Sequence, residues 1–216
     1  ITKMIYPRAS DTYAQYAETF LARAAQFSQK PLAILDLRGN PGGNAKLSYA
    51  WSHSYAKQRI SGYGTRMLRL PLHEQKFKQL MDEETDQSLA SLLEDANYQK
   101  YDNLLYIEEP YMEKKLIENK SMLLVLQDET SASASEMLID ELHTMENVIF
   151  IGMPSAGAIS GSAMTSFYLD KSGLQIMFGN LYGDFPETYA SEYQGIAADI
   201  WVQGKDVLKY VKELLK

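Results

Sequence analysis

The chain has 216 residues, 45% of them hydrophobic and 23% charged, with a net charge of −7 and no cysteine. These values fit a globular domain, and the missing cysteine excludes disulfides and thiolate chemistry. An acidic chain without a basic patch also argues against nucleic acid and anionic membrane as partners.

A chain this long hides roughly 70% of its unfolded surface, enough for a real core. No apolar run approaches the ~18 residues of a membrane span. The first residues, "ITKMIYPRAS", carry no signal-peptide pattern and no initiator methionine. Upstream sequence is therefore expected, able to supply a membrane anchor. Zero cysteine and 15 tyrosines lean towards an extracytoplasmic protein, periplasmic or secreted.

Residues 10–29 read as an amphipathic helix, capped by Ser10 or Asp11, with Tyr13, Tyr16, Ala17, Phe20, Leu21, Ala24 and Phe27 at helical spacing. "PLAILDL" (31–37) has the pattern of a buried strand. "RGNPGGN" (38–44) must be a loop, because Pro41 and three glycines break any regular element. A helix is expected from about Ala45 to Lys57. The stretch from Glu74 to Glu118 holds 12 acidic residues and 5 lysines. "SLASLLEDANY" (88–98) within it is helical in pattern. Residues of about 60–120 are expected to form an acidic, mostly helical insertion outside the core sheet.

"SMLLVLQ" (121–127) reads as a second buried strand, "SASEMLIDELHTM" (133–145) as a helix and "NVIFIG" (147–152) as a third strand. "SFYLDKSGLQIMFG" (166–179) reads as a hairpin turning at Lys171–Gly173. "ADIWV" (198–202) is a short strand, and "KDVLKYVKELLK" (205–216) a closing helix, apolar at Val207, Leu208, Val211, Leu214 and Leu215. Strands alternating with helices predict an α/β fold.

Two stretches carry chemistry. "SASE" (133–136) fits a capping box, in which a serine and a glutamate three residues on satisfy helix N–H groups. A serine at such a strand-to-helix turn is also exposed in front of N–H groups that favour negative charge. A nucleophile needs both properties, since attack on a carbonyl creates an oxyanion. "DLRGNPGGN" places three glycines and a proline within five residues, which suggests backbone amides held open to a ligand. Asp36 and Arg38 could lock that loop.

Four ordered blocks, "LAILDLRGNPGGN", "LLVLQDETSASASEM", "VIFIGMPSAG" and "GIAADIWV", resemble the S41 peptidases. That family includes the C-terminal processing (tail-specific) peptidases and the tricorn core. The resemblance implies one catalytic domain over residues 1–216 with a ClpP/crotonase-like α/β fold. It implies serine-type hydrolysis of a peptide or protein substrate, with no metal or cofactor. It puts the nucleophile at Ser133, and the oxyanion donors at the N–H of Ala134 and that of Gly42 or Gly43. A crotonase-like acyl-CoA enzyme is a more distant reading. "SASASE" and the lack of basic residues for a CoA phosphate oppose it.

The base is the open question. The processing peptidases carry a lysine shortly after Gly–x–Pro–Thr–x–Gly. Here that block is "GMPSAGA" (152–158), Ala158 stands in the lysine position, and no Lys or Arg occurs between Lys120 and Lys171. One expectation is a tricorn-like arrangement, with an upstream histidine and Glu192 as the supporting carboxylate. A base from this chain is a second: His143 lies ten residues along the nucleophile helix and pairs with Asp140 as a surface contact, His53 occupies a solvated helix position, and His73 cannot be placed. A third is a pseudopeptidase that binds peptides, or an engineered loss of the lysine. Ser155 for threonine and Ala198 for proline read as mild drift.

Overall fold

The computed structural model describes residues 2–3, 10–60, 65–68, 104–108, 116–169, 171–183, 193–204 and 206–216. The chain divides into two units: Ile1–Gly62 with Met112–Ile159 and Pro186–Lys216, and Tyr63–Tyr111 with Ser160–Phe185.

The first unit is an α/β layer structure. Its strands are β1 (Thr2–Lys3), β2 (Leu32–Asp36), β5 (Met122–Gln127), β6 (Val148–Gly152) and β9 (Ile200–Trp201). They form one sheet in the order β1-β2-β5-β6-β9, and every pairing is parallel. Parallel sheets are buried on both faces, which is why "LAILD" and "MLLVLQ" read as unbroken apolar runs. On one face, Ile34, Leu124, Leu126 and Ile151 pack with Val207 and Val211 of α4 (Val207–Leu214). Leu123 and Val125 point the other way and are equally buried.

Helices α1 (Ser10–Phe27), α2 (Ala45–Ala56) and α3 (Ala134–Leu142) complete the unit. Trp51 is fully buried and joins α1 to α2, stacked on Phe20 at 5.7 Å and on Tyr55 at 5.3 Å, with Phe27 edge-on at 6.2 Å. All eight elements expected in this unit from 10–29 to 205–216 are present, each within a few residues of its sequence bounds. The closing helix buries less than its pattern suggested: Val207 and Val211 are inside, whereas Leu214 and Leu215 are about half exposed.

The second unit holds an antiparallel sheet in the order β4-β3-β8-β7. The expected hairpin is there, longer than its sequence signal, as β7 (Gly161–Tyr168) and β8 (Gln175–Gly183). The 60–120 segment contributes β3 (Thr65–Leu68) and β4 (Leu104–Glu108). Both strands lie in this second sheet and not in the parallel core sheet, in a segment whose sequence suggested mostly helix. Two short strands 35 residues apart leave no periodic signature, and β8, the other partner of β3, lies far along the chain. The helix expected at 88–98 falls outside the described residues.

Candidate active site

The loops after β2, β5 and β6 all leave the carboxyl edge of the parallel sheet, where open α/β sheets place their ligand crevices. After β2, Arg38 forks onto Asp36, Nε to Oδ1 and Nη2 to Oδ2, each at 2.8 Å. The Arg38 guanidinium lies above its ordinary pKa because it bonds Asp36, against a smaller opposing effect of burial. The Gly39 N–H donates to Asp128 Oδ1 at 3.1 Å and ties this loop to the one after β5. Burial pushes Asp128 up, but bonds from Thr130, Gly39 and Ser131 outweigh it and hold the carboxyl below its usual value.

The three serines of the second loop differ in what their hydroxyls do. Ser131 is fully buried, donates to Leu37 O at 3.0 Å and accepts the Asp128 N–H at 3.1 Å. Ser135 is fully buried and donates to Asn40 O at 3.1 Å. Both hydroxyls pin backbone. Ser133 is half-buried and stands at the N-cap of α3 with φ 53° and ψ −117°. An ordinary cap has extended backbone, and a non-glycine residue at positive φ is strained.

Glu136 holds that turn. Its fully buried carboxylate accepts four bonds. Oε2 takes the N–H of Ser133 at 2.8 Å and of Ala158 at 2.9 Å. Oε1 takes the Ser155 hydroxyl at 2.6 Å and the Gly157 N–H at 2.7 Å. Four donors saturate a carboxylate. Ala158 is thus brought beside the Ser133 turn, both amides meeting one oxygen. Ser155 Oγ in turn accepts the Ile196 N–H at 2.7 Å. The hydroxyl that serine shares with threonine is the part in use here.

The glycine loop closes against the same turn. A Cβ on Gly42 (φ 93°) would lie 2.5 Å from Ala132 O, 2.7 Å from Ser133 Cβ and 2.9 Å from Ala134 N. Only glycine permits that approach. The Gly42 N–H faces inward and donates to Asn40 Oδ1 at 3.0 Å. Gly43 is exposed, and no hydrogen bond to its N–H is made among the described residues. The Ala134 N–H opens the helix, where the first-turn amides have no intrahelical partner.

The histidines do not converge here. His143 stacks on Phe150 at 3.8 Å, and burial holds it below its usual pKa. Asp140 beside it is buried, so this is not the expected surface position. His53 is half-buried, and its Nε2 lies 3.4 Å from Glu141 Oε1 between α2 and α3. Glu141 also accepts the Ser52 hydroxyl. Burial pushes Glu141 up to about 8 and lowers His53, so it favours the neutral form of each. Glu141 lies eight residues along α3 from Ser133, ~12 Å at the helical rise. His73 and Glu192 fall outside the described residues. A cavity of about 460 Å³ opens on the carboxyl edge between Arg38, Met153 and Val207, but Ser133 does not line it.

The family model of peptidase family S41 matches residues 5–202. The chain belongs to peptidase family S41. Among solved structures, mature CPAF matches at a TM-score of 0.62 and 15% identity, covering 99% of this chain and 49% of that one. Mature CPAF complexed with lactacystin matches at 0.65, with the same identity and coverage. A putative peptidase from Parabacteroides merdae matches at 0.53 and 15% identity, covering 92% and 56%. The chain spans about half the length of these structures. At such identity the likeness is one of fold. No curated protein sequence matches the chain.

In this S41 domain, Ser133, Ala134 and Gly42 are brought together and Gly43 follows directly. The sequence pattern foresaw the Ser133–Glu136 contact through its spacing. It missed that Glu136 also gathers Ser155, Gly157 and Ala158. Among the described residues, no group of three metal-ligating side chains converges, and no helix is long and apolar enough to cross a membrane.

Proposed function

We propose that this S41 domain is the catalytic part of a serine endopeptidase acting on peptides or proteins outside the cytoplasm. The observation that carries this reading is the strained turn of Ser133, held by Glu136 and faced by a glycine loop whose backbone approaches it directly. Ser133 Oγ attacks the scissile carbonyl and forms the C–O bond, and its proton passes to a base. The C–N bond then breaks, and the amine leaves with a proton. Water hydrolyses the acyl-enzyme and frees Ser133. The N–H groups of Ala134 and Gly43 hold the oxyanion. Gly43 is favoured over Gly42 because the Gly42 N–H is already taken by Asn40.

No side-chain base bonds the Ser133 hydroxyl among the described residues. The base therefore comes from residues outside that set, in a tricorn-like arrangement with a histidine supported by Glu192. One observation favours a second reading, a peptide-binding pseudopeptidase: Ala158 stands beside Ser133 where the processing peptidases carry lysine.

A fluorophosphonate probe separates the two. In the longest native protein, labelling that disappears in Ser133→Ala supports the peptidase. A native protein that takes no label is the pseudopeptidase.

A further inference from the structure

We propose that Asn40 is the positioning residue of the oxyanion site, turning the glycine loop so that the Gly43 N–H, and not that of Gly42, faces the substrate. This rests on the peptidase reading of Ser133. Asn40 is 1% exposed and touches both sides of the site. Its Oδ1 accepts the Gly42 N–H at 3.0 Å. Its carbonyl oxygen accepts the Ala132 N–H at 3.0 Å and the Ser135 hydroxyl at 3.1 Å. Residues 132 and 135 bracket Ser133 and Ala134. One residue therefore fixes the loop that carries one oxyanion donor and the turn that carries the other.

The side chain is a poor choice for packing alone. Its Nδ2 is buried and has no partner among the described residues, a cost that an apolar residue of similar size avoids. What asparagine supplies, and leucine cannot, is an acceptor at the Gly42 amide. That bond draws the Gly42 N–H into the protein. The next amide of the loop, on exposed Gly43 (φ 145°), has no partner among the described residues and remains available to the substrate. A preorganised donor pair of this kind stabilises the developing oxyanion without reorganisation during the reaction.

The test uses the longest native protein and two variants, Asn40→Leu and Asn40→Ala. Loss of one oxyanion donor costs on the order of 10²–10³ in kcat. Both variants are expected to lose about that factor in kcat and in fluorophosphonate labelling rate, with KM little changed. A merely structural role moves KM and kcat together, or neither, and overturns the proposal. Wild-type protein supplies a readout that does not depend on the variants folding. On phosphonylation of Ser133 by the probe, the Gly43 and Ala134 amide resonances should move and slow in exchange, while Gly42 stays put. A response at Gly42 instead of Gly43 overturns the assignment. If wild type takes no label, the peptidase reading fails. Gly42 amide exchange then still reports on Asn40: protection in wild type that is lost in Asn40→Leu supports the positioning contact, and no difference overturns it.

Discussion

The main-chain N–H of Ser133 donates to Glu136 Oε2 at 2.8 Å, and the same oxygen accepts the N–H of Ala158 at 2.9 Å. A buried carboxylate three residues into the helix thus holds the Ser133 turn and the loop after β6 at once. The bond explains how a non-glycine residue stays at φ 53°. Strain of this kind persists only where the surroundings over-determine it.

Glu136→Gln keeps the shape of that side chain but replaces one acceptor pair with an NH2 group facing two donors. Expected are a loss of Ser133 labelling of about 10²-fold or more, from misplacement of the nucleophile, and a stability loss of roughly 2–4 kcal/mol. Labelling kinetics and urea unfolding check the two effects. A variant that labels at the wild-type rate would count against the clamp.

Two glycines of one loop should respond differently. Gly42→Ala puts a Cβ 2.5 Å from Ala132 O and against Ser133, so it should abolish labelling. Gly39 also has positive φ, at 73°, but its Cβ would meet nothing within 4 Å. Gly39→Ala should cost only the backbone preference, roughly 1–2 kcal/mol, and still label. Equal labelling by the two variants would contradict the close approach.

Glu141 makes stability depend on pH. Its carboxyl is pushed up to about 8 by burial, whereas the unfolded chain titrates near the ordinary value of 4.5. Below about 4.5 both states hold the proton and the contribution is fully present. As pH rises towards 8, the unfolded state releases its proton first and the folded state is progressively destabilised. The loss is at most about 1.4 kcal/mol per unit of pKa difference. His53 acts oppositely, since its lowered pKa removes stability as pH falls. Comparison with Glu141→Gln isolates the carboxyl. The variant's stability relative to wild type should grow between pH 5 and 8, read by urea unfolding at each pH. A constant difference would mean that Glu141 is ionised in the folded protein.

Much of the site was legible because its signals are local. Apolar runs followed by glycine or serine clusters marked β2 and β5 and their loops, and the four-block resemblance, supported by the Ser–x–x–Glu spacing, singled out Ser133 from its neighbours. Three features were not legible. The hydroxyl partners of Ser131 and Ser135 are backbone carbonyls 94 and 95 residues away. Glu136 meets Ser155 and Gly157 only because β6 lies beside β5. β3 likewise joins its sheet by pairing with β8, far downstream.

The sequence by itself determined the alternation of strands and helices, the glycine-rich and serine-rich loops after β2 and β5, and the absence of a lysine in the loop after β6. Periodicity, glycine content and cap spacing act over a few residues, so a linear reading captures them. Tertiary structure alone decided which hydroxyl is left over from backbone pairing, which glycine N–H turns inward to Asn40, and that Ala158 stands beside Ser133. Those outcomes depend on hydrogen bonds between loops that meet only when the parallel strands align their carboxyl ends.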